Sequence, residues 1–417
     1  MNELVEQETY IPIPNKFLNL HGFDSGDKNN YLVQVEHSHF QINKRLHDLI
    51  QLIDGKRSVE AIAEAYANQM GVDTSVDDIL EIFDKILKPK HIVVDKDYVY
   101  SEEPKKSSYL YIQIPVLKER IAEKISAGLA FLFKPILFYT MLACILVMHV
   151  VFYGDVFKAS HIDIDYIFSA KFLVLYLIAN ISLVWHELGH AASMKHYKLK
   201  HGDIGVGLYL YFIVMYTNVS NAWTLKRSER TVVNLAGYYF EGMIQIVCFG
   251  LYFLTNDIIY LIHIFLTDLK IIYGLIPFFR VDGYWVFSDM FGIPNLREKS
   301  IELMKYASSF FVFKPKKLPL FMQSTHTFQK WMLTIYSVSA FLFFAYILYY
   351  VIDLTLIYMV DIPEDIALIQ STFAKESSRF SEWVVIFQRV GMKCMLLAFL
   401  GIFGTRLVKT VLRNKVS

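Results

Sequence analysis

Apolar residues gather in six runs, each close to the ~20 residues that a helix needs to cross a membrane. The runs cover residues 135–153, 172–194, 232–254, 258–279, 331–352 and 383–404. A shorter apolar stretch, 206–219, is rich in Tyr, Val and Gly. This composition predicts a re-entrant strand pair. Non-helical backbone at membrane depth must be buried in protein or line a wet cavity. The pattern predicts a mainly α, six-span polytopic membrane protein.

The first 104 residues have a different pattern, with short amphipathic segments separated by polar ones. Alternation predicts two strands, at 31–35 and 39–42. Helical spacing and turn residues then predict three helices and a closing pair of strands, at 45–53, 58–71, 76–87, 92–94 and 98–100. We interpret residues 1–104 as an α+β winged-helix domain. Residues 105–134 are polar and contain Pro, which indicates a linker to the membrane part at 135–417.

Charge adds an orientation to this division. The chain is 54% hydrophobic with a formal net charge of +1, so the balance alone indicates no acidic partner. Lys and Arg are nevertheless concentrated in alternate flanks of the apolar runs, at 105–134, 195–230, 280–330 and 406–415. Basic flanks face the cytoplasm. We therefore expect an integral protein of a bacterial cytoplasmic membrane, surrounded by lipid, with both termini cytoplasmic and the N-terminal domain on that side.

A winged-helix domain can bind DNA, so its charge matters. The predicted second and third helices carry several acidic residues, including Glu60, Glu64, Asp77, Asp78 and Glu81. A recognition helix in a major groove is basic. We expect no nucleic acid partner.

Candidate chemistry lies in the second apolar run, in the sequence His-Glu-Leu-Gly-His at residues 186–190. On a helix, His186 and His190 lie one turn apart on one face, where both imidazoles can reach one metal ion. Glu187 lies beside them and can accept a proton from water. Ionisable side chains inside a membrane-length run are costly and usually functional. The alternative is a pair of histidines satisfied by helix packing.

A catalytic zinc site has three protein ligands and an open position. The best third candidate is Asp282, which follows the fourth run at the level expected for the histidines. Gly283 permits a tight backbone turn beside it, and Pro277 can end the preceding helix. Asp289 is the competing ligand, although a solvated interfacial carboxylate is the simpler interpretation of that residue.

Three further ionisable residues fall inside predicted spans, namely Glu241, Asp268 and Lys270. Their cost in lipid predicts that they face the interior of the helix bundle. Lys270 can neutralise either carboxylate. We interpret the three as structural pairs, with a catalytic role of Glu241 as the alternative.

The H-E-x-x-H motif, followed by P-x-x-x-x-D-G at 277–283, resembles the M50 family of site-2-protease-type intramembrane zinc metalloproteases. Segments 216–223, 235–241 and 282–297 resemble its peptide zinc metalloprotease branch, and the likeness covers residues 170–300. The resemblance implies Zn²⁺ held by His186, His190 and Asp282, with Glu187 as the catalytic base.

The chain also departs from that family. Many members have Asn at the position of Gly274, and members of the branch often have Asp at the positions of Asn218 and Asn221. These differences leave the three implied zinc ligands intact. They put in doubt any substrate-positioning role transferred to those positions.

Residues 52–62, Leu-Ile-Asp-Gly-Lys-Arg-Ser-Val-Glu-Ala-Ile, resemble the PqqD-like family of peptide-recognition elements, and the likeness covers residues 11–100. It implies that the leader of a ribosomally made precursor peptide lies against an exposed strand and the third helix. Strand addition to an open sheet edge is the physical basis. The alternative is a structural domain that docks on the membrane part.

We therefore expect an intramembrane zinc metalloendopeptidase that hydrolyses a precursor peptide during maturation or export, with a peptide exporter as a further partner. The stretch 205–214 can pair with an extended substrate as an edge strand, with packing as the alternative. Its candidate substrate-binding residues, with one from the turn beyond it, are Gly205, Val206, Gly207 and Asn218. Two other functions stay open: regulated proteolysis of a membrane signalling protein, and a non-proteolytic metal-binding scaffold of an export system.

Overall fold

The computed structural model describes most of the chain in segments separated by gaps. The described residues are 10–25, 30–36, 38–71, 73–100, 110–156, 158, 171–209, 212–311, 313, 316–374 and isolated positions between 383 and 405. The chain divides into two compact units, residues 1–297 with 324–329, and residues 298–323 with 330–417.

The N-terminal part of the first unit folds around a core of its own. Its elements are β1 (Ile13–Pro14), β2 (Asn19–Gly22), β3 (Asn30–Val35), β4 (Ser38–Asn43), α1 (Lys44–Gln51), α2 (Val59–Met70), α3 (Val76–Ile82, continued by a π-turn through Leu87) and β5 (Val93–Val94). The Ser58 hydroxyl caps α2 by accepting from the Ala61 amide at 3.3 Å. Gly71 ends that helix at φ 63°, a conformation that glycine adopts without strain. Apolar residues from all three helices and β3 form the core.

The strands of this part differ in one respect from the prediction. The sheet β2–β3–β4 is antiparallel and contains both predicted strands. The predicted closing pair does not form, because Val93–Val94 pairs with Ile13–Pro14 instead and residues 98–100 are not in a strand. A two-residue strand that ends in Pro has no alternation to detect, so the partner of β5 could not be read from the pattern.

Beyond residue 110, the first unit consists of long helices and a second sheet. Its elements are β6 (Leu110–Leu117), α4 (Glu119–Leu129), α5 (Pro135–Val151, continued by a π-turn through Val156), α6 (Lys171–His196), β7 (Ile204–Tyr209), β8 (Phe212–Thr217), α7 (Arg227–Thr255), α8 (Ile259–Leu275) and α9 (Asp282–Phe291). The segment predicted as a linker therefore contains β6 and α4. Its polar positions and Pro115 hid an apolar alternation at Leu110, Ile112, Ile114 and Val116.

Four helices among the described residues are long and apolar enough to cross a membrane. They are the α5 segment through Val156, α6, α7 and the later helix Thr327–Val360. They correspond to the first, second, third and fifth predicted spans. The fourth predicted span is α8, which has only 17 residues. The sixth, at 383–404, is described only at scattered positions. The described part of the chain is therefore mainly helical, with four candidate spans where the sequence predicts six.

The sheet β6–β7–β8 is antiparallel, with β7 in the centre. The predicted strand pair is thus present as the β7–β8 hairpin, with β6 added from the preceding segment. Leu188 and Ala191 of α6 belong to one apolar cluster with Ile204 of β7. The sheet therefore packs beside the helix that carries the H-E-x-x-H motif.

The N-terminal part contacts the membrane part at the start of α7. The Arg227 Nε donates to Asp24 Oδ1 at 3.0 Å. The buried Arg230 side chain donates to the Asp24 carbonyl at 2.8 Å, and the rings of Phe23 and Trp223 lie 5.8 Å apart. These contacts give the two parts a defined junction within the first unit.

The second unit is helical in its described part. It takes in α10 (Leu296–Phe311) from Glu298 onward, α11 (Leu320–Ser324) through Gln323, α12 (Thr327–Val360) from Lys330 onward, and all of α13 (Ile362–Phe373). Within it, Asp365 of α13 pairs with Arg389 at 2.7 Å and also with Lys393.

Candidate metal centre

His186 and His190 lie one turn apart near the end of α6, and both are buried. Their Nε2 atoms are 3.0 Å apart. The 3.6-residue helical repeat puts the side chains on one face, as their spacing predicts. Helix α7 packs against this face closely at Gly237, where a Cβ atom would collide with the His186 imidazole.

Asp282 is the first residue of α9, and its carboxylate meets the histidines. Its Oδ2 lies 3.0 Å from His186 Nε2 and 3.5 Å from His190 Nε2. The three candidate ligand atoms all lie within 4.8 Å of one another. Gly283 makes this approach possible, since a Cβ there would lie 2.5 Å from the Gly274 carbonyl oxygen.

The outer nitrogen of each imidazole lies close to an oxygen acceptor, on the side of the ring away from the third ligand. His190 Nδ1 donates to the Val233 carbonyl at 2.8 Å. His186 Nδ1 lies 3.0 Å from Oε1 of Glu241, a fully buried carboxylate that also pairs with Lys270. Such outer partners fix the tautomer that leaves Nε2 free to bind a metal.

The donor set fits Zn²⁺. Two imidazole nitrogens and one carboxylate oxygen are the typical protein ligands of a catalytic zinc site. Their three ligand atoms converge within 4.8 Å of one another. Among the described residues, His186, His190 and Asp282 form the one group of three or more such side chains placed to hold a metal.

Glu187 is held beside this group by the sheet. The Thr217 hydroxyl, at the end of β8, donates to Glu187 Oε2 at 2.7 Å. Glu187 is buried but lies on the wall of a cavity of about 470 Å³ that also reaches His186, His190 and Asp282. Glu187 thus borders the same cavity as the three candidate ligands.

Asp289, the competing candidate for the third ligand, does not lie with Asp282 at the histidines. Its two carboxylate oxygens accept from Arg230 Nε at 2.7 Å and from Asn234 Nδ2 at 3.0 Å. Burial raises the pKa of this carboxyl, and the Arg230 charge opposes that shift. Asp289 thus joins α9 to α7 near the junction with the N-terminal part.

The candidate substrate-binding glycines lie on a strand that is paired on both sides. Gly205 and Gly207 are in β7, between β6 and β8. A Cβ at Gly205 would lie 2.5 Å from the Ile114 carbonyl oxygen, and one at Gly207 would lie 3.0 Å from that of Ile112. Gly205 and Gly207 therefore do not lie on an open edge as expected, and close approach of β6 explains the glycines. The part of the stretch 205–214 that lies on an edge strand is 212–214, in β8.

The other two candidates have separate positions. Val206 is in β7 and reaches the cavity wall. Asn218 follows β8, where its side-chain oxygen accepts from the Ser220 amide at 3.1 Å and hydroxyl at 2.7 Å. That bonding stabilises the turn, and Asn218 lines a smaller neighbouring cavity of about 200 Å³.

Two residues of the site, Thr217 and Tyr238, lie in segments that carry the family resemblance but were not singled out from the sequence. Thr217 contacts Glu187 only because β8 ends beside α6. Tyr238 of α7 lines the cavity, with its ring centroid 5.2 Å from that of His186. Their positions follow from helix crossing and strand register, which spacing along the chain does not encode.

Comparison with known proteins gives one distant relative. The chain is 24% identical over 216 residues to the Bacillus subtilis (strain 168) protein named "Putative peptide zinc metalloprotease protein YydH". The alignment covers 48% of this chain and 81% of the relative. No family model matches the chain. No solved structure matches it either.

The relative and the site point in the same direction. Distant homology to a protein named as a zinc metalloprotease supports a zinc metalloprotease family for this chain at most. The His-His-Asp group and the four candidate spans agree with a membrane protein of that kind.

Proposed function

We propose that the protein is an intramembrane zinc metalloendopeptidase. The observation that carries the proposal is the convergence of His186, His190 and Asp282 beside the buried Glu187 on one cavity wall. A bound Zn²⁺ would polarise a peptide carbonyl and bring the pKa of a coordinated water toward ~7. The three ligands would hold the ion, and Glu241 and the Val233 carbonyl would orient the imidazoles.

The protein's own residues account for the proton transfers. Glu187 takes a proton from the attacking water as its oxygen bonds to the peptide carbon. Glu187 then gives that proton to the amine that leaves when the C–N bond breaks. Thr217 keeps the carboxylate in position through its 2.7 Å hydrogen bond.

The substrate must be extended so that its backbone is accessible. β8 is the edge of its sheet beside Glu187, and residues 213–217 line the cavity. An extended peptide that pairs with β8 would gain backbone hydrogen bonds next to the candidate ligands. We infer that β8, rather than β7, receives the substrate.

We propose a ribosomally made precursor peptide as the substrate, cleaved during maturation or export. The PqqD-like resemblance of residues 11–100 supports leader recognition by the N-terminal part. Its contact with α7 through Asp24 would keep a captured leader near the cavity. Titration of the full chain with leaders encoded by neighbouring small genes tests this, and absence of binding to all of them would count against it.

Replacement of Glu187 by Gln tests the peptidase proposal. The variant keeps the size of the side chain and the candidate ligands but cannot accept a proton. We expect zinc content to stay at the wild-type level while cleavage of a precursor peptide falls by at least about 100-fold, the scale of general base catalysis. Processing that survives with zinc still bound would favour the metal-binding scaffold of an export system instead.

A further inference from the structure

Tyr238 is a hydrogen-bond donor on the cavity wall that the proposed mechanism does not use. Its ring packs edge-to-face against His186 at an interplanar angle of 76°. The residue is half-buried and lines the same cavity as Glu187 and Asp282. Tyr238 therefore borders the space where a peptide would meet the metal centre.

The local backbone leaves room for this hydroxyl. A Cβ on Gly274, near the end of α8, would lie 2.5 Å from the Tyr238 oxygen and 3.3 Å from the ring carbon that bears it. Any side chain at position 274 would displace the hydroxyl. Glycine thus allows α7 to present a phenol between the end of α8 and His186.

Three other side-chain donors of the cavity wall are engaged elsewhere. Asn180 Nδ2 donates to the Tyr176 carbonyl at 2.8 Å, and Asn234 Nδ2 donates to Asp289 at 3.0 Å. Lys270 is paired with Glu241. The Tyr238 hydroxyl interacts with the candidate ligand Asp282, and a hydroxyl can still turn its proton toward a substrate oxygen.

We propose that the Tyr238 hydroxyl donates a hydrogen bond to the carbonyl oxygen of the scissile peptide as negative charge develops on it. The inference rests on the proposed peptidase function and deepens it. Glu187 serves the attacking water, whereas the former carbonyl oxygen needs a donor of its own. Donors preorganised for that oxygen are usually a large part of catalysis, and loss of one costs about 100- to 1,000-fold in kcat.

The competing role is purely structural. Tyr238 could act only by orienting Asp282. Its loss would then weaken metal binding, and an oxyanion and a thiol added to the bound metal would be affected equally. The two roles differ in what they do to an oxyanion compared with a ligand that has no oxygen.

The test uses the full chain loaded with Co²⁺, whose absorption spectrum reports ligand binding without requiring turnover. The probes are a peptide phosphonate, whose oxygens resemble the charged carbonyl oxygen, and ethanethiol, which offers sulfur alone. We expect Tyr238→Phe to weaken phosphonate binding by about 100-fold and to leave ethanethiol binding and Co²⁺ content unchanged. Equal weakening of both probes, loss of metal, or unchanged phosphonate binding would overturn the proposal.

Tyr239→Phe is the matched control. Its hydroxyl donates to the Leu132 carbonyl at 3.1 Å, away from the cavity, on the same turn of α7. We expect this variant to bind both probes like the wild type. Failure of the proposed peptidase function is distinguishable from failure of the Tyr238 proposal. In the first case, the Co²⁺-loaded wild type would bind phosphonate but cleave no peptide. The spectra would still compare phosphonate binding by the wild type and the Tyr238 variant.

Discussion

Each histidine of the candidate centre uses both ring nitrogens. Nδ1 faces the Val233 carbonyl in His190 and Glu241 in His186, so that Nε2 is left for a metal. The Glu241 carboxylate is buried and has Lys270 as a counter-charge. The predicted structural pair in the membrane therefore has a second use, since it directs a ligand as well as neutralising a charge.

The identity of the third ligand can be tested at this scale. We expect Asp282→Ala to lower zinc affinity by more than about 100-fold, because changes to outer partners alone cost about 10- to 100-fold. The control is Asp289→Asn, which removes a buried carboxylate of the same helix that contacts Arg230 rather than the histidines. Metal analysis of both purified proteins measures the difference, and full zinc occupancy in the Asp282 variant would contradict it.

At the scale of residues, the sequence was informative where chemistry follows a helical repeat. His186 and His190 are placed by their spacing, and Asp282 follows from a carboxylate beside Gly283 after an apolar run. Thr217 could not be found in the same way. It reaches Glu187 across 30 positions of sequence because the β7–β8 hairpin folds back on α6.

Helix crossing sets the geometry of the centre at the next scale. Gly189 of α6 and Gly237 of α7 face the partner helix, and Cβ atoms there would meet the Ala236 carbonyl and the His186 ring. Small residues let membrane helices approach closely. The apolar runs predicted these helices but not their contact, because hydropathy records which residues avoid water and not which faces meet.

The crossing predicts a specific sensitivity in α7. We expect Gly237→Ala to destabilise the protein by about 1–3 kcal/mol through overpacking and to lower zinc occupancy by displacing His186. Gly250→Ala is the matched control, since a Cβ at that position of the same helix meets nothing within 4 Å. Thermal unfolding and metal analysis test the pair, and wild-type zinc content with unchanged stability in the Gly237 variant would show that the crossing is looser.

The β6–β7–β8 sheet shows the same limit for strands. The richness of 206–219 in Tyr, Val and Gly predicted a strand pair, and the structure has the β7–β8 hairpin there. The third strand, β6, lies in the segment that was predicted as a linker, and it pairs with β7. β7 is therefore the central strand, and β8 is the edge strand beside Glu187. Whether a strand is at the edge or in the centre of a sheet depends on which segments pair. The pairing of β6 with β7 joins segments about 90 residues apart, so no local sequence pattern predicts it.

At the scale of the whole molecule, the N-terminal part lies at the same end of the long helices as the segment between α6 and α7. The N-terminal part contacts Arg227 and Arg230 at the first turn of α7, and α6 ends at His196 before the same region. The opposite end of α7 is Thr255. If the candidate span α7 crosses the membrane, these contacts would place the N-terminal part and the 197–226 segment on one side and Thr255 toward the other.

Orientation itself is predicted by the basic flanks and can be measured by cysteine labelling. Exposed Cys144 and Cys394, with buried Cys248, are first replaced by Ser to give a background without thiols. Single cysteines are then introduced at the exposed positions Lys56, Lys200 and Thr255. Because basic flanks stay in the cytoplasm, we expect an impermeant maleimide to label Thr255→Cys in intact spheroplasts, and the other two only after permeabilisation. Labelling of Lys56→Cys and Lys200→Cys in intact spheroplasts, with Thr255→Cys protected, would reverse the orientation while leaving the fold intact. A different response of Lys56→Cys and Lys200→Cys would instead contradict the junction between the N-terminal part and α7.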